Sequence, residues 1–253
     1  MNNSFSITNS SYISLFKKIC ETYKNLSQYL YIKITYNNIN FQVIDDVKVS
    51  ILDITFDTPY FNTFEINYET LICINIIDFT KILKNFKDNS IYFKLQNDSN
   101  FLYIQSDIND LIKKKFTLAL IEDNTYNWIN INTYNTNNSQ ISILSKTLQT
   151  IISELHVFSD YLIIHKSIDT DILEFIIDDT HTNTYSKYEL NNINFINNEN
   201  IHLLISLNYL HNFKLLSYFM NAIIFISNNN PLHINLIDEN ININYMIAPK
   251  VEI

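Results

Sequence analysis

Residues 74–107 read INIIDFTKILKNFKDNSIYFKLQNDSNFLYIQSD, and residues 205–238 read ISLNYLHNFKLLSYFMNAIIFISNNNPLHINLID. Each stretch begins with apolar residues at helical spacing and continues with two runs of alternating polarity, which an Asn-rich turn separates. The shared order predicts a supersecondary module, a helix followed by two strands, that the chain uses more than once.

The same module is predicted at two further places, in the first part of the chain and just after its middle. The predicted helices are residues 12–26, 76–86, 144–158 and 207–220. Modules grouped two and two predict an α+β fold with two similar domains that arose by internal duplication. We place the first domain at residues 1–120 and the second at residues 139–253. The polar, Asn-rich residues 121–138 are predicted to be the linker between them.

The chain contains no glycine and no arginine. A phosphate-cradling P-loop and a dinucleotide-binding G-x-G-x-x-G motif both need glycine, because the backbone must approach phosphate without a Cβ in the way. The nucleophile elbow G-x-S-x-G is excluded for the same reason. Turns that need a positive φ are therefore expected at Asn or Asp, which tolerate the left-handed region.

Cys20 and Cys73 each lie inside an apolar segment, which favours buried thiols over a disulfide or a metal pair. The first residues, MNNSFSITNSSY, lack the basic flank and apolar core of a secretory signal. No apolar run has the length that a bilayer span requires. We therefore expect an intracellular protein with no membrane partner.

The formal net charge is −9, which by itself argues against nucleic acid. Lysines nevertheless concentrate in the predicted helices, which carry few acids. These lysines are Lys17, Lys18, Lys24, Lys81, Lys84, Lys87, Lys146 and Lys214. Either they solvate exposed helix faces, or the helices build one cationic face on an acidic protein. Lysine without arginine suits phosphate contact that does not read sequence, since an ammonium lacks the planar fork that recognises guanine.

Several segments resemble the proliferating cell nuclear antigen family. Residues 245–252, YMIAPKVE, are similar to the family's Y-x-x-APK-[IV]-E ending, and residues 39–51, INFQVIDDVKVSI, to its V-x-L-Q-x-M-D-x-x-H-V-S-L segment. Residues 14–18, 79–84 and 208–210 are similar to its S-x-x-KK, S-K-I-L-K and R-Y-L helices. The matches keep the family's order across nearly the whole chain.

The resemblance implies a DNA sliding clamp, a non-enzymatic processivity factor that encircles duplex DNA without reading its sequence. It implies a closed homotrimeric ring with helices inside and antiparallel sheets outside. The eight lysines above and His156 would then contact DNA. Thr150 and Ser153 stand where the family tends to carry basic residues, so the third helix would be the weakest contact. Ring closure would pair residues 111–119 with roughly residues 180–187 of the next subunit.

The interface residues implied are Phe116, Leu118 and Tyr185. Lys113, Lys114 and Lys115 beside the first edge could equally protect it from aggregation. The resemblance also implies an apolar pocket for PCNA-interacting peptides of DNA polymerases and other replication or repair proteins, and a separate clamp loader. Its lining would be Ile44, Lys48, Val49, Ile51, Trp128, Ile129, Pro231, Ala248, Pro249 and Val251. Lys48 replaces the histidine that is usual in the family.

Other functions remain open on the sequence. A subunit of a heteromeric checkpoint-type clamp and a viral processivity factor that forms no ring are the closest alternatives. Asp45–Asp46 and Asp178–Asp179 would be the carboxylates of a nuclease, although adjacent acids on a strand point to opposite faces. The six histidines show no metal-ligand spacing, and no cofactor is expected. A clamp would act in the nucleus, or in a viral replication compartment.

Overall fold

The computed structural model describes residues 2–86, 90–109, 112–123, 125–131, 139–179, 184–191, 199–228 and 230–250, without the side chains of residues 107–109, 112 and 179. The chain forms two compact units. Unit 1 comprises Met1–Asp46, Leu52–Trp128 and Asp238–Asn242. Unit 2 comprises Val47–Ile51, Ile129–Ile237 and Ile243–Ile253. Each strand is assigned to the unit that holds most of its residues.

Unit 1 contains two α-helices among its described residues, and each is flanked by strands. Its elements are β1 Asn2–Ile7, α1 Ser10–Lys24, β2 Tyr29–Ile34, β3 Asn38–Ile44, β4 Ser50–Asp57, β5 Thr63–Glu65, β6 Thr70–Asn75, α2 Ile76–Lys84, β7 Ile91–Gln96, β8 Phe101–Asn109 and β9 Ile112–Ile121. Its strands pair in the order β4-β3-β2-β6-β9-β8-β7-β1-β5.

Unit 2 repeats the alternation of helices and strands. Its elements are β10 Ser139–Leu144, α3 Ser145–Leu155, β11 Tyr161–Lys166, β12 Leu173–Asp179, β13 Thr184–Leu190, β14 Ile201–Ser206, α4 Leu207–Asn212, β15 Asn221–Ile226, β16 Leu232–Asp238 and β17 Ile241–Ile247. Two runs of paired strands result, β10-β15-β16-β17 and β13-β12-β11-β14. The sheet-rich α+β class expected from the sequence is confirmed.

The predicted module recurs four times in the described chain, and the structure extends it. A strand precedes each helix, and at least three strands follow it, as in β6-α2-β7-β8-β9. These extra strands include β1, β6, β10 and β14, each of six residues. They were not predicted from the sequence.

The core of unit 1 is aromatic. Phe16 of α1 is almost fully buried, and its ring contacts those of Phe41, Phe56, Phe79 and Phe93 at centroid distances of 5.7, 5.7, 6.2 and 5.8 Å. Tilted and edge-on ring pairs of this kind are favourable beyond the apolar area that they bury. Phe16 and Phe79 therefore fix both helices of unit 1 against one face of its sheet.

The core of unit 2 is largely aliphatic. The buried side of α3 presents Leu148, Ile151, Ile152 and Leu155, at the spacing expected for one helix face. The principal aromatic contact is the stack of Phe213 on Tyr245, with ring centroids 4.5 Å apart.

The predicted helix over residues 207–220 is wrong. The α-helix α4 ends at Asn212, and a 3-10 helix follows at Lys214–Tyr218. Phe213, between them, has φ −79° and ψ 72°, outside the helical region. The buried stack on Tyr245 holds Phe213 in this conformation, so packing overrides a continuous helical pattern.

The expectation for turns in a glycine-free chain is only half right. Among the described residues, Asp98 has a positive φ of 62°, as expected for Asp, but Lys48 has one of 59°. Cys20 and Cys73 are free, buried thiols, as predicted. No helix in the described part of the chain has both the length and the apolar content to cross a bilayer.

Candidate nucleic-acid interface and docking surfaces

The helices of unit 1, α1 and α2, lie side by side and are well capped. The Asn9 side chain accepts from the backbone N–H groups of Ser11 and Tyr12, and Asn75 does the same for Ile77 and Asp78. Such caps satisfy amides that have no partner within the helix. Each helix thus holds its exposed lysines on a defined surface.

The lysines of α1 and α2 form a partly neutralised cationic surface. Glu21 lies between two of them, 3.6 Å from the Lys18 ammonium and 3.7 Å from that of Lys84. Lys81 pairs with Asp78 at 2.9 Å. All of these groups are half or fully exposed, so each pair is weak and can exchange for another anion.

Two further unit 1 lysines differ in their roles. The Lys17 ammonium donates to the carbonyl oxygen of Phe86 at 2.6 Å, just beyond the C-terminus of α2. A cation is favourable there because the helix dipole is negative at that end. Lys17 therefore holds the two helices together. Lys24, the last residue of α1, is exposed to solvent. Lys87 lies outside the described residues.

The helices of unit 2 carry fewer cations. Lys146 near the start of α3 and Lys214 at the start of the 3-10 helix are both exposed. The half-buried His156 ring stacks on His211, with centroids 4.1 Å apart, and its Nε2 lies 2.9 Å from Asn208 Oδ1. Burial, and then the charge of Lys214, lowers the pKa of His211. His211 is therefore less readily protonated than an ordinary histidine.

Of the two strands expected at subunit edges, β13 lies at the edge of its sheet, whereas β9 lies between β8 and β6 and has an open side over most of its length. Strand β9 pairs with β8 along its length, but on its other side only Leu120 and Ile121 pair with β6. Among the described strands, β13 pairs with β12 alone. Residues 180–183 of the second predicted edge lie outside the described part. The free backbone groups of such edges can pair with another chain.

The three predicted interface side chains differ in exposure. Leu118 is buried, Phe116 is half-buried and its ring packs on Phe86 with centroids 5.4 Å apart, and Tyr185 is 64% exposed. A depression of about 540 Å³ borders the open edge of β9, between that edge and α2. Of the three, Tyr185 is thus the most accessible to a partner.

Two of the predicted pocket segments of unit 2 are joined by a backbone hydrogen bond. The Ala248 N–H donates to the carbonyl of Val49 at 2.8 Å, which places the segments 47–51 and 243–250 together. Val49, Ile51, Ile129, Pro231, Ala248 and Pro249 are all half-buried, and Lys48 is exposed. None of them is a fully buried core residue. Val251 lies outside the described residues.

In unit 1, the predicted pocket residues Ile44 and Trp128 are also half-buried. Trp128 is held from two sides, edge-on against Tyr126 at 6.3 Å and beneath the Lys33 ammonium at 5.9 Å. A lysine over an indole face is attracted by the ring quadrupole. Trp128 therefore has a defined position on unit 1 itself.

A stacked pair of tyrosines, which sequence reasoning missed, holds the segment that leads into the predicted linker. We call Tyr31 and Tyr126 the aromatic latch. The Tyr126 ring stacks on Tyr31 with centroids 3.5 Å apart, and the Tyr31 hydroxyl donates to Asp123. Hydrogen bonds from Thr125 and then from Tyr31 lower the pKa of Asp123. Tyr31 and Tyr126 are far apart in the sequence, so spacing gave no signal of the contact.

Two hydrogen bonds connect the aromatic latch to the buried carboxyl group of Asp53. Tyr126 donates its hydroxyl to Gln42 Oε1 at 2.8 Å, and Gln42 Nε2 donates to Asp53 Oδ2 at 2.7 Å. Burial raises the pKa of Asp53 from 3.8 to about 6, against the opposing effect of the Gln42 hydrogen bond. Asp53 therefore ties the linker-proximal residues to β4.

The residues considered for a nuclease form no catalytic cluster in the described part of the chain. Asp45 is buried, whereas Asp46 and Asp178 are exposed. No group of three or more His, Cys, Asp or Glu side chains could hold a metal ion among the described residues.

Comparison with known proteins agrees with this architecture. The sequence family described as "Proliferating cell nuclear antigen, N-terminal domain" matches residues 9–127. The "DNA polymerase sliding clamp" of Thermococcus onnurineus is 31% identical over 107 residues, and that of Thermococcus fumicolans is 30% identical over 107 residues. Each match covers 42% of this chain and 42% of the relative.

The matched segment contains two capped helices packed on an antiparallel sheet, an arrangement consistent with a clamp domain. Residues 9–127, a little under half of the chain, are therefore similar to the proliferating cell nuclear antigen family. The resemblance noted in residues 14–18, 39–51 and 79–84 falls within this segment, and that recognition is confirmed.

Proposed function

We propose that the protein is a DNA sliding clamp, a processivity factor that holds a DNA polymerase on duplex DNA and catalyses no reaction itself. The observation that supports this most is the family match across α1 and α2, together with the exposed lysines on those helices. Weak lysine–phosphate contacts without base readout let a ring slide, because no single position on DNA is preferred.

The two open strand edges support a ring of several copies. Pairing β9 of one copy with β13 of the next would extend both sheets and satisfy their free backbone groups. In this proposal, three identical subunits close the ring, and a separate ATP-driven loader opens it.

Partner recruitment is the second part of the proposal. Half-buried apolar residues around Val49, Ile51 and Pro249 would receive a short helical turn that carries aromatic side chains from polymerases or repair proteins. Burial of a few apolar side chains supports exchangeable binding once ordering costs are subtracted. Tethering then raises the effective concentration of the polymerase at DNA without new chemistry.

Molar mass measured by light scattering tests the ring. A homotrimer has three times the chain mass of 29.9 kDa. Tyr185→Glu should shift this mass toward the monomer, because it places charge at the proposed seam, whereas Tyr218→Glu, on the 3-10 helix, should not. A wild-type protein that is monomeric at all concentrations would contradict the ring.

A fluorescent peptide with two aromatic residues and one aliphatic residue tests the groove. Pro249→Ala should weaken peptide binding and leave the molar mass unchanged. Binding that is as tight to Pro249→Ala as to the wild type would contradict this location for the groove.

A further inference from the structure

The sheet of unit 1 has a face that the clamp function does not use. Along β7, the side chains of Ile91, Phe93 and Leu95 are buried. The Phe93 ring contacts Phe16 of α1 and Phe79 of α2, so these residues point toward the helices. Because side chains alternate along a strand, Tyr92 and Lys94 lie on the opposite face.

This opposite face combines aromatic rings with lysines across three adjacent strands. Tyr103 of β8 lies opposite Lys94 of β7, and Gln105 of β8 lies opposite both Tyr92 and Lys115 of β9. Phe101, two residues before Tyr103, is on the same face. We call Tyr92, Lys94, Phe101, Tyr103, Lys113 and Lys115 the aromatic–lysine platform.

The rings of the platform are accessible. Tyr92 is 37% exposed and Phe101 is 44% exposed, while Tyr103 is half-buried. A depression of about 540 Å³ opens beside them, bordered by Tyr92, Lys94, Tyr103 and Lys115. Neighbouring strands are about 4.8 Å apart and alternate residues of one strand about 6.8 Å apart, so the rings lie within a few nucleotides' reach.

The charge of this face is opposite to that of the protein as a whole. Lys94, Lys113 and Lys115 are exposed, and none of them has a carboxylate partner among the described side chains. Two acid positions adjoin the platform. Glu65 accepts from Ser4 at 3.3 Å on the far side of β1, and Asp107, whose side chain is not described, is opposite Lys113.

We propose that the aromatic–lysine platform binds single-stranded DNA on the sheet face of unit 1, away from the helices. Bases would stack on Tyr92, Phe101 and Tyr103, while Lys94, Lys113 and Lys115 would contact the phosphates. Stacking tolerates every base, and lysine contacts carry no sequence information, so binding is expected to be independent of sequence.

This chemistry favours a nucleic acid over an acidic peptide. A carboxylate-rich partner would need only the lysines, whereas exposed rings placed between lysines match the alternation of bases and phosphates in a single strand. A duplex hides its base faces and could not use the rings. The choice of DNA over RNA rests on the proposed clamp function, which brings the protein to DNA.

Fluorescence anisotropy with a labelled oligo-dT of about 20 nucleotides tests the platform on the full chain at low salt. The double variant Tyr92→Ala/Tyr103→Ala should weaken binding by at least about fivefold, the effect of losing one stacked base. Lys94→Gln/Lys115→Gln should lower the salt slope by about 1.4, about 0.7 for each lost phosphate contact on a single strand. Tyr36→Ala, an exposed ring on another part of unit 1, should change neither quantity.

The same assay separates this proposal from the clamp itself. Lys24→Gln/Lys84→Gln on the helices should weaken duplex binding and leave oligo-dT binding unchanged. Oligo-dT binding that depends on those helix lysines, or is unaffected by either platform variant, would overturn the platform. Tighter binding of oligo-rU would overturn the choice of DNA. If poly-glutamate at equal charge displaced oligo-dT and the ring variants had no effect, the proposed DNA site would be overturned in favour of a site for an acidic protein.

Discussion

The helix pairs of the two units differ although the same succession of elements produces both. In unit 1, α1 and α2 span 15 and 9 residues, and each begins at an asparagine that caps it. In unit 2, α3 and α4 span 11 and 6 residues, and their first residues follow Leu144 and Ser206, whose side chains make no capping bond. The cores beneath them differ as well, aromatic in one and aliphatic in the other.

This difference indicates which helices carry the larger share of the proposed DNA contact. Unit 1 carries most of the helix lysines in the described chain, and an aromatic core fixes those helices in place. Unit 2 has two exposed lysines on its helical segments, Lys146 and Lys214, and its last helix is interrupted at Phe213. The comparison therefore predicts that unit 1 dominates DNA contact and that unit 2 tolerates change.

The largest effect is expected from the aromatic core. Phe16→Ala should lower the free energy of unfolding by about 3–5 kcal/mol, because it removes a buried ring that touches four others. The matched change in unit 2, Leu155→Ala, should cost about 2–5 kcal/mol. Urea titration followed by circular dichroism measures both. If Leu155→Ala lowered the free energy of unfolding more than Phe16→Ala does, the larger contribution of the aromatic core would be contradicted.

The two units should also respond to pH in opposite directions. The folded pKa of Asp53 is raised to about 6, so its stabilising contribution is full below about 3.8 and is lost as pH rises through about 6. His233 of unit 2 is buried, and burial lowers its folded pKa from 6.5 to about 4. Its contribution is full above about 6.5 and is lost as pH falls toward 4.

Each shift corresponds to about 3 kcal/mol. Asp53 should make the protein less stable as pH rises from about 4 to 6, and Asp53→Asn should abolish that decline. His233 should make it more stable as pH rises from about 4 to 6.5, and His233→Gln should abolish that increase. Thermal unfolding at a series of pH values distinguishes them. If both variants changed the pH profile with the same sign, the assignment of one of these groups would be wrong.

A smaller effect is expected on DNA. Replacing Lys18, Lys24, Lys81 and Lys84 together by Gln should lower the slope of log K against log salt for duplex DNA by up to about 3.6, about 0.9 for each phosphate contact. Replacing Lys146 and Lys214 should lower it by at most about 1.8. An equal or larger change for the unit 2 pair would contradict the dominance of unit 1.

Helix capping gives the smallest effect. Asn9→Ala should cost about 1 kcal/mol of unfolding free energy, because two backbone amides of α1 lose their acceptor. Ser206→Ala, at the N-cap position of α4, should cost less than about 0.5 kcal/mol, since its hydroxyl caps nothing. Differential scanning fluorimetry under identical conditions compares the two. Equal losses of stability in the two variants would show that helix capping does not differ between the two units.

Sequence patterns predicted the recurring module and most of its strands because alternation and helical spacing are local properties. The helices over residues 12–26 and 76–86 needed only small corrections, to Ser10–Lys24 and Ile76–Lys84. The error at Phe213 arose from a distant partner, Tyr245. The aromatic latch of Tyr31 and Tyr126 was missed for the same reason, since no local period connects residues that far apart.

The candidate site was predictable to a similar extent. The lysines were visible as charge on helices, but Glu21 between Lys18 and Lys84 and the structural bond of Lys17 depend on how α1 and α2 pack. The aromatic–lysine platform was hidden for another reason. Its members lie on three strands, and only the register of β7, β8 and β9 brings them to one face.

Topological trapping on DNA tests the central claim most directly. The protein is incubated with a linear duplex, both ends are then blocked with streptavidin, and the salt is raised to a level that breaks phosphate contacts. An encircling ring should remain on the duplex blocked after loading, be absent from the duplex blocked before loading, and leave an unblocked duplex. Equal loss from all three duplexes at high salt would contradict encirclement.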